Sequence, residues 1–294
     1  MVEDKKVIIN RFDSTALYET FAKSAMINAC PEGPWVEPKY VEYVKSQMKW
    51  GGITYFTDKQ LHLVQTVDSK YKIAMLFEPR EFMPHIYKTI KIYEGFYDLI
   101  FTYDEELLSS GSEKYVFAPA DMPSIELSNC KIHKKTKLLS MLYSNKKVTS
   151  GHKLRFLIAE KLIPQIGLSE KIDLFGRGAG NFITNKSEAC NNYMFQITTE
   201  NSRKNHYYAD KILDCFITGC IPIYWGAPNI GDYFDERGIL SFETPNELVK
   251  ILKSLNEEKY HSMLECAKIN FEIAKEHQHP DDSFYLKIKE ILHV

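Results

Sequence analysis

Short apolar runs alternate with stretches of helical periodicity along most of this 294-residue chain, and that alternation constrains its fold more than any other feature. Strand-length apolar runs separated by amphipathic helices favour an α/β architecture built on parallel sheets, because crossover helices then cover both sheet faces. In the first half, Val7–Ile9, Ile53–Phe56, Ile73–Phe77, Leu99–Thr102 and Val116–Ala118 read as strands, and Thr15–Met26, Pro38–Lys49 and Met83–Tyr93 as helices. A second series runs strand Leu139–Tyr143, helix His152–Leu162, strands Ile172–Phe175 and Met194–Thr198, helix Tyr208–Thr218 and strand Ile221–Tyr224. It closes with a strand at Ile239–Phe242 and helices near Asn246–Leu255 and Glu257–Lys275. Between the two series, Asp121 to Lys137 has weak periodicity, carries Pro123 and the basic Lys131-Ile132-His133-Lys134-Lys135, and reads as a linker. The expected architecture is two α/β lobes, residues 1–130 and 138–275, with a cleft between them and a C-terminal tail or helix over 276–294. Ligands of such sheets sit beyond the carboxyl ends of the strands.

A hydrophobic content of 44% is ample for a buried core, and the length suits about two domains. The net charge of −2 argues against nucleic-acid binding, which needs a basic surface for the phosphate backbone. No apolar run approaches the ~20 residues that span a bilayer. The charged start Met1-Val2-Glu3-Asp4-Lys5-Lys6 lacks the pattern of a signal peptide. Six dispersed cysteines, with no CxxC pair, read as thiols of a reducing compartment rather than a disulfide framework or a zinc ribbon. A soluble, cytoplasmic protein is expected.

The most informative stretch begins at Tyr193-Met194-Phe195-Gln196-Ile197-Thr198-Thr199, an apolar strand that ends in the polar cluster Glu200-Asn201-Ser202. A short loop then leads to a helix whose first turn holds Asp210 and Lys211. Unsatisfied N–H groups and partial positive charge at a helix N-terminus suit a phosphate, and Lys211 adds a full charge. Cys220-Ile221-Pro222-Ile223-Tyr224-Trp225-Gly226 follows as a buried strand ending at a glycine, where backbone can approach a ligand closely. On pattern alone, a βαβ unit with surface charges explains the segment equally well.

The run from Phe195 to Gly226 resembles the signature of family 10 glycosyltransferases, the alpha-1,3/1,4-fucosyltransferases: an aromatic strand, Glu-Asn-Ser, a loop, Tyr-x-Thr-Glu-Lys, an apolar helix and Pro-[Ile/Val]-x-x-Gly. Glu200-Asn201-Ser202 matches directly; Tyr207, Asp210 and Lys211 take the Tyr, Glu and Lys positions, and Pro222 and Gly226 close the pattern. Upstream, Ile172-Asp173-Leu174-Phe175-Gly176-Arg177 resembles the family's Val-Asp-Val-Phe-Gly-Arg, and Ser144-Asn145 with Arg155 resembles the opening of its donor domain. Phe77-Glu78-Pro79 is similar to the Glu-Ser-Pro motif of the acceptor domain. Ala209 replaces the family Thr and Asp210 its Glu, which removes a hydroxyl and shortens a carboxylate by one methylene.

The resemblance implies a GT-B-like fold of two Rossmann-like lobes, an acceptor-binding lobe first and a donor lobe second. It implies an inverting transfer, most simply of fucose from GDP-fucose to a glycan hydroxyl, through an oxocarbenium-like transition state. Such chemistry needs a base for the acceptor proton and positive charge on the departing diphosphate. By family position Glu78 is the candidate base, with Glu81 its nearest competitor, and Arg155 and Lys211 are the diphosphate cations. Tyr207 and Asp210 would contact the donor sugar, and Glu200 and Asn201 would position the loop. Arg177 suits an anion in its glycine-rich turn, a purely structural role there being as good a reading. No Asp-x-Asp motif occurs, so no bound metal is expected and no cofactor beyond the GDP-sugar donor substrate. Asp104-Glu105-Glu106 reads as a helix cap, His277-Gln278-His279-Pro280-Asp281-Asp282 as a solvated loop rather than a metal cluster, and Trp225 either as a stacking surface or as core.

Three rivals stand beside this reading. The two replacements favour a transferase of another nucleotide sugar, GDP-mannose or an activated galactose. A silent carbohydrate- or nucleotide-binding homologue could share the fold. An NAD(P) oxidoreductase is disfavoured, since Gly176-Arg177-Gly178-Ala179-Gly180 lacks the G-x-G-x-x-G spacing. The expected partners are a nucleotide sugar and an oligosaccharide acceptor, with contact to a membrane at most peripheral, where lipid-linked glycans are built.

Overall fold

Two all-parallel sheets organise the computed structural model, which describes residues 6–12, 38–119, 123–125, 127–277 and 280–294. The chain divides into two units, one holding the described residues up to 119 together with 280–294, the other those from 123 to 277. The first sheet contains β1 (Val7–Phe12), β2 (Val41–Lys45), β3 (Lys49–Thr57), β4 (Asp68–Leu76), β5 (Leu99–Thr102) and β6 (Tyr115–Phe117), in the order β2-β1-β3-β4-β5-β6. Burial follows the period-two alternation of extended chain. Along β4, Ile73 and Met75 join one core layer, and Ala74 and Leu76 the opposite one. Helix α1 (Pro84–Tyr93), opened by a proline at its first position, lays Ile86, Tyr87 and Ile90 on the second layer. The short α2 (Glu105–Leu108) is capped by Asp104, whose Oδ1 accepts the Leu107 N–H at 3.1 Å, as the sequence predicts.

The helix expected over Pro38–Lys49 is instead β2 and the start of β3. Val41 pairs with Val7 and Tyr43 with Ile9, so pairing with β1 and the β-branched Val41 and Val44 override the weak helical spacing. The helix expected at Thr15–Met26 lies outside the described residues.

The second sheet contains β7 (Lys137–Leu142), β8 (Ile172–Phe175), β9 (Tyr193–Thr199), β10 (Ile221–Trp225) and β11 (Leu240–Ser241), in the order β11-β10-β9-β7-β8. Phe195, Ile197, Ile221, Ile223 and Trp225 face one core layer, which places Trp225 in the core, and Tyr224 faces the other. Among its described residues this unit has the α-helices α3 (Ser150–Leu157), which runs through a π-helical turn into α4 (Ile163–Gln165), then α5 (Asp210–Phe216), α6 (Pro245–Lys253) and α7 (Glu257–Glu276). Helix α6 begins at a capping box in which Thr244 and Glu247 satisfy each other's backbone N–H groups. Cys215 and Cys220 are buried thiols, as expected. Strand order reverses between β7 and β9, and at such a switch point the chains leaving the two strands diverge and open a crevice at their carboxyl ends.

The last helix, α8 (Pro280–Leu292), belongs to the first unit and buries Phe284, Tyr285 and Ile288 in the layer of Ile73 and Met75. Asp281 and Asp282 are therefore not in a solvated loop. Asp282 accepts the backbone N–H groups of Lys39 at 2.9 Å and Tyr40 at 3.0 Å, and Asp281 accepts the Tyr43 hydroxyl at 2.7 Å. These partners lie some 240 residues away in sequence, so a local pattern could not reveal them. His277 closes α7 with its Nε2 3.1 Å from the Tyr208 hydroxyl, and burial pushes its ring pKa down. Residues 278 and 279 of that run lie outside the described residues.

Candidate functional site

The crevice at β7 and β9 is built by a close approach of two backbones. Thr149 caps α3, its Oγ1 accepting the His152 N–H at 3.3 Å, and the first turn of the helix presses on the chain leaving β9. Gly151 makes this possible: a Cβ there would stand 1.7 Å from the Glu200 carbonyl oxygen. The Gly151 N–H donates to the Asn201 carbonyl at 3.2 Å. One turn later α3 delivers Arg155, only 7% exposed, with Nε donating to Thr199 Oγ1 at 2.7 Å and its carbonyl at 3.1 Å. Its Nη2 donates to Asn201 Oδ1 at 2.7 Å. Burial lowers the Arg155 pKa, opposed by Glu200, Tyr207 and Asp210, and a guanidinium so placed stays charged.

Beside Arg155 lies a buried network of opposite charges. Glu200 is fully buried; Oε1 accepts the Ala209 N–H at 3.1 Å, and Oε2 stands 3.2 Å from Lys211 Nζ as an ion pair outside hydrogen-bond alignment. The N-cap N–H of α5, expected to be open to a phosphate, is thus satisfied by Glu200. Lys211 Nζ also donates to Asp210 Oδ1 at 2.9 Å, and Lys186 donates to Asp210 Oδ2. Burial disfavours the charges of Asp210, Lys186 and Lys211, but their mutual pairing prevails: Asp210 is held well below the usual carboxylate range, and Lys186 and Lys211 above the usual lysine range. Asp214, one turn along α5, is pushed up by burial and accepts the Ser124 N–H and hydroxyl, both at 2.6 Å.

Of the residues singled out from sequence, Arg155, Glu200, Asn201, Asp210 and Lys211 are joined in this one network. Tyr207 is buried in the loop before α5, its N–H donating to the Lys204 carbonyl at 3.2 Å. Arg177 is exposed, its guanidinium 5.6 Å from the centroid of the Phe182 ring. Gly176 and Gly178 around it pack tightly on Tyr143 at the end of β7. Glu78 follows β4 in the other unit, half-buried, with its carbonyl accepting the Tyr87 hydroxyl at 2.8 Å. A cavity of about 150 Å³ opens at the carboxyl ends of β10 and β11, lined by Arg203, Tyr224, Gly226, Phe242 and Glu243 among others. Gly226 separates it from the network, since a Cβ there would come within 2.7 Å of Glu200 Cγ.

Lys186, Gly151 and Thr199 escaped sequence reasoning. A readable signal for Lys186 exists in Asn185-x-x-Glu188, a capping box that starts the short helical turn carrying it. Among the described residues, no cluster of three or more His, Cys, Asp or Glu side chains is arranged to hold a metal ion. No helix among them is long and apolar enough to cross a membrane.

The profile of glycosyltransferase family 10 (fucosyltransferase), C-terminal part, matches residues 132–284, and so spans the whole network. The chain belongs to glycosyltransferase family 10. Glu78 lies outside the stretch matched by the family 10 profile. A curated relative, the alpha-(1,3)-fucosyltransferase FucT of Helicobacter pylori, is 30% identical over 83 residues, 27% of this chain and 17% of that protein. The match thus spans about a sixth of that relative's length. Among solved structures, an alpha1,3-fucosyltransferase with GDP superposes with a TM-score of 0.57 at 14% identity, covering 97% of this chain and 90% of the other. Anabaena Alr3699/HepE in complex with UDP gives a TM-score of 0.58 at 11% identity, covering 87% and 86%. At such identities the likeness establishes the fold: the two parallel-sheet units of this family 10 chain are those of the GT-B class.

Proposed function

We propose that this chain is a glycosyltransferase that moves fucose from GDP-fucose to a glycan hydroxyl with inversion at the anomeric carbon. The observation that carries the reading is a cation set, the buried Arg155 with the partly buried Lys211 and Lys186, at the switch point of the second sheet. A diphosphate there would take the place of carboxylate oxygens on Lys186 and Lys211, and Arg155 and Lys211 would stabilise the charge that builds as the C1–O bond to phosphate breaks. The cavity at β10 and β11 is adjacent to Glu200 and suits the nucleoside part. The acceptor oxygen forms the new bond to C1 and passes its proton to a carboxylate, for which Glu78 is the candidate. Asn201 and Glu200 hold Arg155 and Lys211 in place, and Tyr207 and Arg177 border the path of the donor.

A second reading, transfer from another nucleotide sugar, is favoured by one observation. Both oxygens of Asp210 are engaged by Lys186 and Lys211, and Ala209 offers no hydroxyl, so sugar contacts at these two positions differ from the family pattern. Calorimetric titration with GDP, GDP-fucose, GDP-mannose and UDP-galactose, on wild type, Lys211→Ala and Arg155→Ala, decides between them. Preferential binding of GDP-fucose, lost in both variants, is expected. Equal binding of all GDP-sugars would leave the donor open, and no binding by folded protein would make the chain a silent homologue.

A further inference from the structure

The environment of Glu78 contains a second carboxyl group that the reaction as described does not use. Asp58 is the first residue after β3, and its φ of +33° places it in the left-handed region, where a non-glycine residue is strained and Asp and Asn are the best tolerated. The turn aims its carboxylate at the end of β4: Oδ1 accepts the backbone N–H of Phe77 at 3.1 Å and that of Glu78 at 3.4 Å. The other side of the Glu78 residue is held by the Tyr87 hydroxyl, 2.8 Å from its carbonyl oxygen. Tyr87 is itself pinned, with the Arg80 guanidinium 4.3 Å from its ring centroid and Arg80 bound bidentately by Asp104 at 2.6 and 2.8 Å. Glu78 thus sits between two braces, one of them a strained acidic residue.

We propose that Asp58 is a positioning residue for Glu78, fixing through Oδ1 the backbone from which the Glu78 side chain leaves the carboxyl end of β4. The inference rests on the reading of Glu78 as the base. Loop-strand contacts of this kind set a reacting group's direction, and an error of about 1 Å costs on the order of 10²-fold in rate. The proton on Asp58 is a second lever. Burial, with the Glu78 charge adding, pushes the Asp58 carboxyl up to about 7, while the Phe77 and Glu78 N–H groups and Lys59 pull the other way; Tyr87, Arg80 and Asp104 are the other ionisable groups packed around the turn. Above that pH an ionised Asp58 grips both N–H groups more strongly and adds negative charge where a proton is to be accepted. Turnover should therefore climb as pH rises through about 7.

The test compares wild type, Asp58→Asn, Asp58→Ala and Glu78→Gln in the full chain. Release of GDP from GDP-fucose is followed across neutral pH, and the Phe77 and Glu78 amides are followed by ¹⁵N NMR over the same range. Asp58→Asn keeps the acceptor oxygen and should fold. It is expected to hold turnover near the wild type's low-pH level across the whole range, without the rise through neutral pH, and its two amide shifts should no longer titrate. Asp58→Ala should lose on the order of 10²-fold in kcat with the donor KM unchanged. Amides that do not titrate in wild type, or an Asp58→Ala enzyme with unaltered kcat, overturn the proposal whatever Glu78 does. Turnover undiminished in Glu78→Gln would instead remove the base reading, a separable failure.

Discussion

A Cβ placed on Gly151 would stand 1.7 Å from the carbonyl oxygen of Glu200, so the helix that carries Arg155 and the strand end that carries Glu200 meet at backbone contact. Neither partner in this contact is a flexible side chain. Gly151→Ala must push α3 off β9, at a cost of about 2–3 kcal/mol in stability. Arg155 should lose its registry with Thr199 and Asn201, and calorimetry should show GDP affinity falling by at least tenfold in whatever fraction remains folded.

Lys186 and Asp210 make the second test. Lys186→Met leaves Asp210 with Lys211 alone, and chemical denaturation should show a loss of about 2 kcal/mol, below the 3–5 typical of a broken buried pair because one cation stays. Asp210 is held below its unfolded pKa, so its stabilising contribution is present above roughly pH 4 and is lost as pH falls further. Wild type should therefore lose stability steeply on acidification, and Asp210→Asn should show a shallower slope over the same range.

Asp58 has the opposite sign. Its folded-state carboxyl is raised from 3.8 to about 7, so it favours folding fully only below its unfolded pKa, and that contribution disappears as pH rises through about 7. Asp58→Asn should consequently be more stable than wild type at pH 8, by about 1–2 kcal/mol once partial exposure is allowed for, and indistinguishable at pH 4. Thermal melts at the two pH values measure this directly.

The docking of α8 on the first unit predicts a stability effect from the far end of the chain. Ile288→Ala removes a fully buried side chain and should cost about 2–4 kcal/mol. Asp282→Ala strips the Lys39 and Tyr40 N–H groups of their acceptor, at about 1–3 kcal/mol. Both losses should appear in urea titrations, with GDP affinity in the second unit retained.

Periodicity located most strands to within a residue or two: β5 and β8 fall on the expected ranges, and α1 begins one residue late. These elements were readable because each buries a side-chain face whose repeat is written locally. Pro38–Lys49 was not, because β2 is a strand by virtue of its pairing with β1 rather than by its own pattern. The family motif was likewise readable from β9 through β10, since strand, loop and helix start are contiguous there. What each residue contacts was not. Asp210, expected to face sugar hydroxyls, is held by two lysines, and Lys186 reaches it from 24 residues away.

The sequence by itself determined an α/β chain of parallel sheets, the family, and a contiguous group of charged residues from the end of β9 into α5. Local propensity and side-chain periodicity act over a few residues, and a contiguous motif keeps its identity at that range. Only the tertiary structure decided which charges neutralise one another, that Gly151 is needed beneath Glu200, that Asp58 grips the Glu78 backbone, and that α8 packs on the first sheet. Each of these depends on groups far apart in the chain meeting in a low-dielectric interior, where pairing and burial compete over a few ångströms.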